Sequence, residues 1–273
     1  MIVERTRVSG AWLDLREPAD AAARDPGLIE YLRRHLPSTG CLVIHDLGSG
    51  TGSMGRWLAP LLTGPQHWVL YDRDEDLLDV AAAEPPGQAA DGAGVSVETR
   101  ASDVALLATG DFADASLITA SALLDLLTRD ELDGLIDACT KAGCPVLLSL
   151  SVVGRVDLVP ADPMDSRVGA AFDAHQRRLT GRGRLLGPDA VAAAVEGFRR
   201  RGAEVLVRPT PWLLSAAEAD LAAEWFTGWL GAAREQSVGL ASETASYARR
   251  RLAEARAGEL VVSVGHADLL VLP

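Results

Sequence analysis

The segment from Cys41 to Leu62, CLVIHDLGSGTGSMGRWLAPLL, is the stretch that most narrows what this chain can become. An apolar run, Cys41-Leu42-Val43-Ile44, leads into His45 and Asp46, and glycines then fall at alternate positions, Gly48, Gly50 and Gly52. Beyond them Met54, Trp57, Leu58, Leu61 and Leu62 recur at three- and four-residue steps, the period of a helix. The order is strand, glycine turn, helix. Glycine admits positive φ and lets a ligand approach the main chain closely. A helix N-terminus behind such a turn presents unpaired N–H groups. The pattern predicts an α/β chain with a ligand site where its first strand ends.

Two ligand chemistries compete for that turn. Gly50-x-Gly52-x-x-Gly55 satisfies the G-x-G-x-x-G pattern of dinucleotide sites. Yet Asp46 closes the strand, and a carboxylate there repels a pyrophosphate while tolerating a cation. Asp46-Leu47-Gly48-Ser49-Gly50-Thr51-Gly52 resembles motif I, D-x-G-x-G-x-G, of the class I S-adenosyl-L-methionine-dependent methyltransferases. The resemblance spans roughly residues 41–208 and the final strand. It implies that S-adenosyl-L-methionine is held by Asp46, Gly48, Ser49, Gly50 and Gly52, and that a methyl group moves in line to an N, O or C atom of a small molecule. On sequence alone a nicotinamide- or flavin-dependent oxidoreductase stands as an alternative. So does a cofactor-binding protein without catalysis.

The strands that follow carry further candidates. His67 to Leu70 leads into Tyr71-Asp72-Arg73, and Asp72 lies about twenty residues past the glycines, where a carboxylate can accept both ribose hydroxyls. Dehydrogenases use the same device, so Asp72 supports a ribose without choosing the cofactor. Asp74 caps a helix to Ala83. A third strand, Val95 to Thr99, precedes Ser102-Asp103-Val104. The resembled family places an acidic residue in this loop to accept from the adenine amino group; the same residues also read as the cap of a short helix, Val104 to Thr109. After a fourth strand, Ala115 to Thr119, Ser121 falls at the methionine end of the cofactor and Asp125 either faces the substrate or caps a helix. The Asn/Asp-Pro-Pro-Tyr/Phe signature of the family's nucleic-acid amino-methylating branch does not occur here. Thr128-x-x-Glu131 is a capping box opening a helix to Ala142, and Pro145 to Val152 suits a strand buried on both faces. Strands alternating with helices predict a doubly wound parallel sheet, whose ligands gather at the carboxyl ends of its strands.

The remainder is less regular. Residues 1–40 read as an N-terminal helical cap, with an Ala-rich stretch from Pro18 and a helix from Gly27 to Leu36. Arg16, Asp20 and Arg24 share one helical face, either as a solvated stripe or, for Arg24, as the partner of the cofactor's carboxylate that the resemblance implies. Residues 153–187 mix Pro, Gly, Asp and Arg and are expected to form a lid, in which His175 is the first candidate base and Asp125 the second. The strands Glu204 to Arg208 and Leu260 to Leu272 flank a helical insertion, 213–258, with helices from Ser215 to Glu235 and from Ser242 to Ala257. Its Trp225, Trp229 and Tyr247, with Trp212 just before it, either line a pocket or pack a core. The expected fold is α/β: a doubly wound, mostly parallel seven-stranded sheet with helices on both faces, N-terminal helices, and that insertion before the last strand. Residues 41–273 form the cofactor-binding domain.

Composition then excludes several classes. A net charge of −12 disfavours a phosphate backbone, so no nucleic-acid partner is expected. The chain shows no apolar run of membrane-spanning length, and MIVERTRVSG has no signal-peptide core. Three cysteines without a C-x-x-C pair are expected to stay reduced in a cytoplasmic protein, and no metal site is expected. The partner is a small-molecule substrate; the helical insertion could also serve a homodimer.

Overall fold

The computed structural model describes residues 8–273; the expectation about MIVERTR lies outside them. Helices α1 (Gly10–Ala23) and α2 (Pro26–Arg33) come first. The Ser9 side chain caps α1 at the Trp12 N–H, and Asp25 caps α2 at the Leu28 N–H. Pro18 therefore lies inside α1, which starts eight residues earlier than the Ala-rich stretch from Pro18. There follow β1 (Leu42–Leu47), α3 (Ser53–Leu58), β2 (Gln66–Asp72), α4 (Glu75–Ala83), β3 (Val95–Ala101), β4 (Leu117–Ser121), α5 (Arg129–Ala142) and β5 (Val146–Val159). The Thr128–Glu131 capping box is formed in both directions.

The sheet runs β3-β2-β1-β4-β5 in parallel. Two antiparallel strands complete it, β10 (Val261–Leu272) beside β5 and β8 (Glu204–Pro209) beside β10, while short β9 (Trp212–Leu214) pairs with the start of β10. The seven expected strands are all present, and β9 is an addition at the start of the expected helical insertion. One face of the sheet packs a core around Phe112, Ile136 and Leu269, and the other packs around Trp68, Leu58 and Leu270. All of these are buried. Asp46, Asp72 and Ser121 lie at the carboxyl ends of β1, β2 and β4, and Asp103 follows β3. The topology brings them to one edge.

The span 153–187 is not irregular. Strand β5 continues past Val152 to Val159, because Val156, Leu158 and Val159 pair with Val264, Val262 and Val261 of β10. Then come α6 (Pro163–Gln176), a hairpin of β6 (Leu179–Thr180) and β7 (Gly183–Arg184), and α7 (Ala190–Arg200). The last helices are α8 (Ala219–Gln236), α9 (Val238–Glu243) and α10 (Ala245–Arg256). Helices α6, α8 and α10 enclose a third apolar core of Val168, Phe226, Trp229, Tyr247 and Trp212, which also holds Leu158 and Val262 from the strand extension. Of the four aromatics, Trp212, Trp229 and Tyr247 are buried there and Trp225 is partly buried against them.

Charge pairing locks this unit. Arg251, 1 % exposed, donates to Asp165 at 2.6 Å, to Glu254 at 2.9 Å and to the Pro160 carbonyl at 2.7 Å. Tyr247 donates to the other Asp165 oxygen at 2.7 Å. Cutting one partner out of such a buried network costs about 3–5 kcal/mol. Asp162 caps α6 at the Met164 N–H and Asp157 pairs with Arg155, so these acids serve structure. Among the described residues no helix is long and apolar enough to cross a membrane, and no group of three His, Cys, Asp or Glu could hold a metal.

Candidate functional site: a cleft over the glycine turn

The three turn glycines adopt φ of 63°, 53° and 85° at Gly48, Gly50 and Gly52, values that L side chains rarely take. Space is also lacking: a Cβ at Gly48 would meet Leu123 at 3.0 Å, and one at Gly50 would meet Leu13 at 3.1 Å. Leu13 belongs to α1, which therefore lies directly over the turn. The turn is tied to β2 by the Ser49 N–H on the Tyr71 carbonyl and the Gly50 N–H on Asp72 Oδ2, both at 2.9 Å. The other Asp72 oxygen accepts from the Asp74 N–H at 3.0 Å. Each carboxylate oxygen has two acceptor sites, so Asp72 keeps capacity for a diol.

Between α1 and the turn opens a cleft of about 420 Å³, counting the space open to solvent. Leu13, Arg16 and Asp20 bound it on one side, Asp46 and residues 48–51 on another, with Ser121 and Ala122 at its end. Its walls carry unfinished polar groups. Asp46 is buried; Thr119 donates to its Oδ1 at 2.7 Å, while Oδ2 has no hydrogen-bond partner. Burial pushes its carboxyl up to about 7, against the Thr119 hydrogen bond and the attraction of Arg24. Ser49 Oγ is likewise buried without a partner.

Arg24 is 2 % exposed and lies behind the cleft, bonded to two of its lining residues. Its Nη2 donates to Ser121 Oγ at 3.2 Å and to Ser53 Oγ at 3.5 Å, and its guanidinium lies 5.1 Å from the Trp57 ring centre. Nε and Nη1 have no partner. Burial lowers its pKa, and the charges of Asp20, Asp268 and Asp46 oppose that shift; a guanidinium stays charged regardless. Arg16 takes a different role. It binds Asp20 through two hydrogen bonds, at 2.9 and 3.1 Å, over the Trp212 ring at 4.9 Å, and Trp212 Nε1 donates to the same Asp20 at 3.0 Å. The face shared by Arg16, Asp20 and Arg24 is buried rather than solvated.

At the far end of the edge, Asp103 caps a turn over Val104–Leu106 by accepting from the Ala105 N–H at 3.1 Å. Val104 is buried against the first core, and the Ser102 N–H donates to the Asp72 carbonyl at 2.8 Å. Arg73 is exposed between β2 and α4. Asp125 lies on a turn, Leu124–Leu126, just past β4, where burial pushes its carboxyl up to about 6 with Arg16 and Arg178 as the nearest opposing charges. His175 is elsewhere. It closes α6 with Nε2 3.2 Å from Glu235 of α8, and it does not line the cleft. The reason is the packing of α6 on α8, which makes the expected lid part of the third core.

Sequence reasoning missed Asp268. This buried carboxylate of β10 accepts from the Leu150 N–H at 2.8 Å, from the Asp25 N–H at 3.1 Å and from Thr210 Oγ1 at 3.0 Å. It holds α2 and the β5 kink, where Leu150 has φ of 53°, at the edge beside Arg24. The signal was available: one acid inside the apolar run of Ala267 to Leu272.

No family model and no curated protein matches the chain; solved structures do. A cyclopropane synthase from Mycobacterium tuberculosis is 14% identical with a TM-score of 0.49, covering 97% of this chain and 94% of its own. A magnesium protoporphyrin IX methyltransferase from Synechocystis, solved with bound S-adenosylhomocysteine, is 13% identical with a TM-score of 0.47, covering 99% and 90%. A methyltransferase from Geobacter sulfurreducens in complex with S-adenosyl-L-homocysteine is 16% identical with a TM-score of 0.45, covering 97% and 98%. These are likenesses of outline; the functional reading rests on the cleft.

Proposed function

We propose that this chain is an S-adenosyl-L-methionine-dependent methyltransferase acting on an N, O or C atom of a small molecule. One observation carries the reading: a buried carboxylate, Asp46, lines the cleft, and a buried cation, Arg24, stands directly behind its Ser53 and Ser121, each with an unpartnered polar atom. A zwitterionic amino-acid end satisfies both, its carboxylate on Arg24 and its ammonium on Asp46. A pyrophosphate would answer Arg24 and be repelled by Asp46, which is why a nicotinamide cofactor fits less well.

The other residues fall in order along the edge. Asp72 receives the ribose hydroxyls, Gly48 to Gly52 give the ligand close access to the main chain, and Asp103 with Val104 meets the adenine. Ser49 Oγ, Ser102 and Arg73 line the same path, and Ser121 orients Arg24. When bound, the sulfonium supplies an electrophilic methyl group. What the chain adds is position and a dry floor, because holding the acceptor in line removes much of the barrier. Asp125 then takes the acceptor's proton: with its carboxyl raised to about 6, it is largely ionised at neutral pH yet basic enough to share a proton. His175 is left with a surface pairing to Glu235. The net charge of −12 supports a small-molecule substrate over nucleic acid.

Parallel calorimetric titrations with S-adenosylhomocysteine, NADH and NADPH test the assignment. Binding of S-adenosylhomocysteine, weakened by roughly 1–3 kcal/mol in Asp72→Ala, is the expected result. Preference for either nicotinamide would overturn it.

A further inference from the structure

Resting on that reading of Asp103, we propose that Arg182, at the tip of the β6–β7 hairpin, is a positioning residue that aims the Asp103 carboxylate at the adenine amino group. The inserted hairpin thereby sets the cofactor's base selectivity.

The hairpin is built onto the start of α5. The Leu186 N–H donates to the Leu127 carbonyl at 2.9 Å, and Leu185 forms an antiparallel bridge with Thr128. Its tip is tied internally, Thr180 Oγ1 accepting from the Arg182 N–H at 3.2 Å and donating to the Gly183 carbonyl at 2.8 Å. Gly183 has φ of 129°, and a Cβ there would meet the Thr128 methyl at 3.3 Å, so the tip lies against the α5 cap.

From this base the Arg182 side chain reaches two carboxylates. Its Nη1 is 2.9 Å from Glu131 Oε1 and 3.5 Å from Asp103 Oδ2. Glu131 is itself fixed, since its other oxygen accepts from the Thr128 N–H at 2.8 Å in the capping box. A chain of contacts therefore runs from the helix cap through Glu131 and Arg182 to Asp103. On its other side Asp103 is held by the Ala105 N–H. With both oxygens engaged, the carboxylate cannot rotate freely, while its remaining lone pairs can still accept an N–H.

That fixity bears on selectivity. A 6-aminopurine donates to a fixed carboxylate, whereas a 6-oxopurine turns an oxygen lone pair towards it. A site built to accept a particular N–H rejects the analogue that lacks it, because the half-buried carboxylate is left facing an oxygen lone pair. A carboxylate free to swing away loses that rejection.

The test is titration calorimetry of wild type, Arg182→Ala and Arg182→Lys with S-adenosylhomocysteine and with its 6-oxo analogue S-inosylhomocysteine, alongside thermal unfolding of each protein. Wild type should prefer the amino form by about 10- to 100-fold. Arg182→Ala should keep its fold, because the side chain is 31% exposed, and its preference should shrink to a few-fold. Arg182→Lys should recover part of it. If Arg182→Ala weakens both ligands equally and keeps the wild-type preference, Arg182 only braces the hairpin and the proposal falls. Wild type that binds S-adenosylhomocysteine without discriminating removes Asp103 from the adenine and the proposal with it, leaving the cofactor class intact. Wild type that binds neither ligand overturns the function itself.

Discussion

Asp46→Asn separates the charge of the cleft from its shape. The side chains are of equal size, and the amide oxygen can keep the Thr119 hydrogen bond now made at 2.7 Å. What changes is the buried charge. The Asp46 carboxyl is raised from 3.8 to about 7. Between those values the folded state binds more protons than the unfolded chain, so stability falls as pH rises from about 4 to about 7 and is level above. Three pKa units amount to about 4 kcal/mol lost to ionisation at pH 8. The amide must find a partner for its own N–H groups, which takes back part of the gain and leaves about 1–3 kcal/mol. Asp46→Asn should therefore unfold at a higher temperature than wild type at pH 8 and at nearly the same temperature at pH 4.

Ligand binding should move in the opposite direction. If the cofactor's ammonium completes Asp46 Oδ2, binding requires the ionised form. Affinity for S-adenosylhomocysteine should then fall about tenfold per pH unit well below 7, which is about fiftyfold between pH 7 and pH 5. Over that window the ligand's own ammonium and carboxylate keep their charges. Asp46→Asn should bind more weakly at pH 7 and show no such slope. A variant that is more stable yet binds worse cannot be explained by damage to the fold. Calorimetry from pH 5 to pH 7 reads the slope, and a flat wild-type profile would refute the pairing of Asp46 with the ammonium.

Three further outcomes are expected. Turnover should rise with pH through about 6, where Asp125 loses its proton, and level off; Asp125→Asn should remove that limb and cost about 10²–10⁴-fold if the proton moves in the slow step. His175→Ala should leave turnover and S-adenosylhomocysteine affinity unchanged and cost less than about 1 kcal/mol of stability by thermal unfolding, because its pairing with Glu235 is solvent-facing; a hundredfold loss of turnover would return it to the mechanism. On a tRNA column the protein should elute in the void at physiological salt, and retention that weakens as salt rises would reverse the small-molecule assignment.

The sheet was legible because its signals are local. Alternate glycines demand a turn, Thr128-x-x-Glu131 demands a helix start, and apolar runs between them demand strands. Asp46, Asp72, Asp103 and Ser121 followed, since each closes a strand or opens the next loop and the topology does the rest. The span 153–187 failed for a matching reason. Its Pro, Gly and Asp content reads as a loop, yet Pro163 stands at the first turn of α6, Asp162 caps it, and Gly154 takes a φ of 72° within β5. Each is a residue that shapes an element, and only the partner decides which. The partner here, α8 with α10, begins more than forty residues beyond the end of α6, and no periodicity within the span could announce it.

The deeper limit is that the cleft is closed by residues from distant parts of the chain acting on one another. Asp268 in the last strand fixes the Asp25 N–H at the start of α2, next to Arg24, which reaches Ser121 at the cleft's end. The same carboxylate holds Leu150 in a conformation unfavourable for a side chain. Trp212 of β9 holds Asp20, and Asp20 holds Arg16 against the cleft mouth. The glycine turn is thus readable from seven consecutive residues, whereas the burial of Arg24 near Asp46 is not. Asp46 sits within the motif and was seen. Arg24 was marked only by the family resemblance and competed with a solvated stripe, because an arginine on an amphipathic face carries no sign of burial until its carboxylate neighbours, Asp20, Asp46 and Asp268, are known.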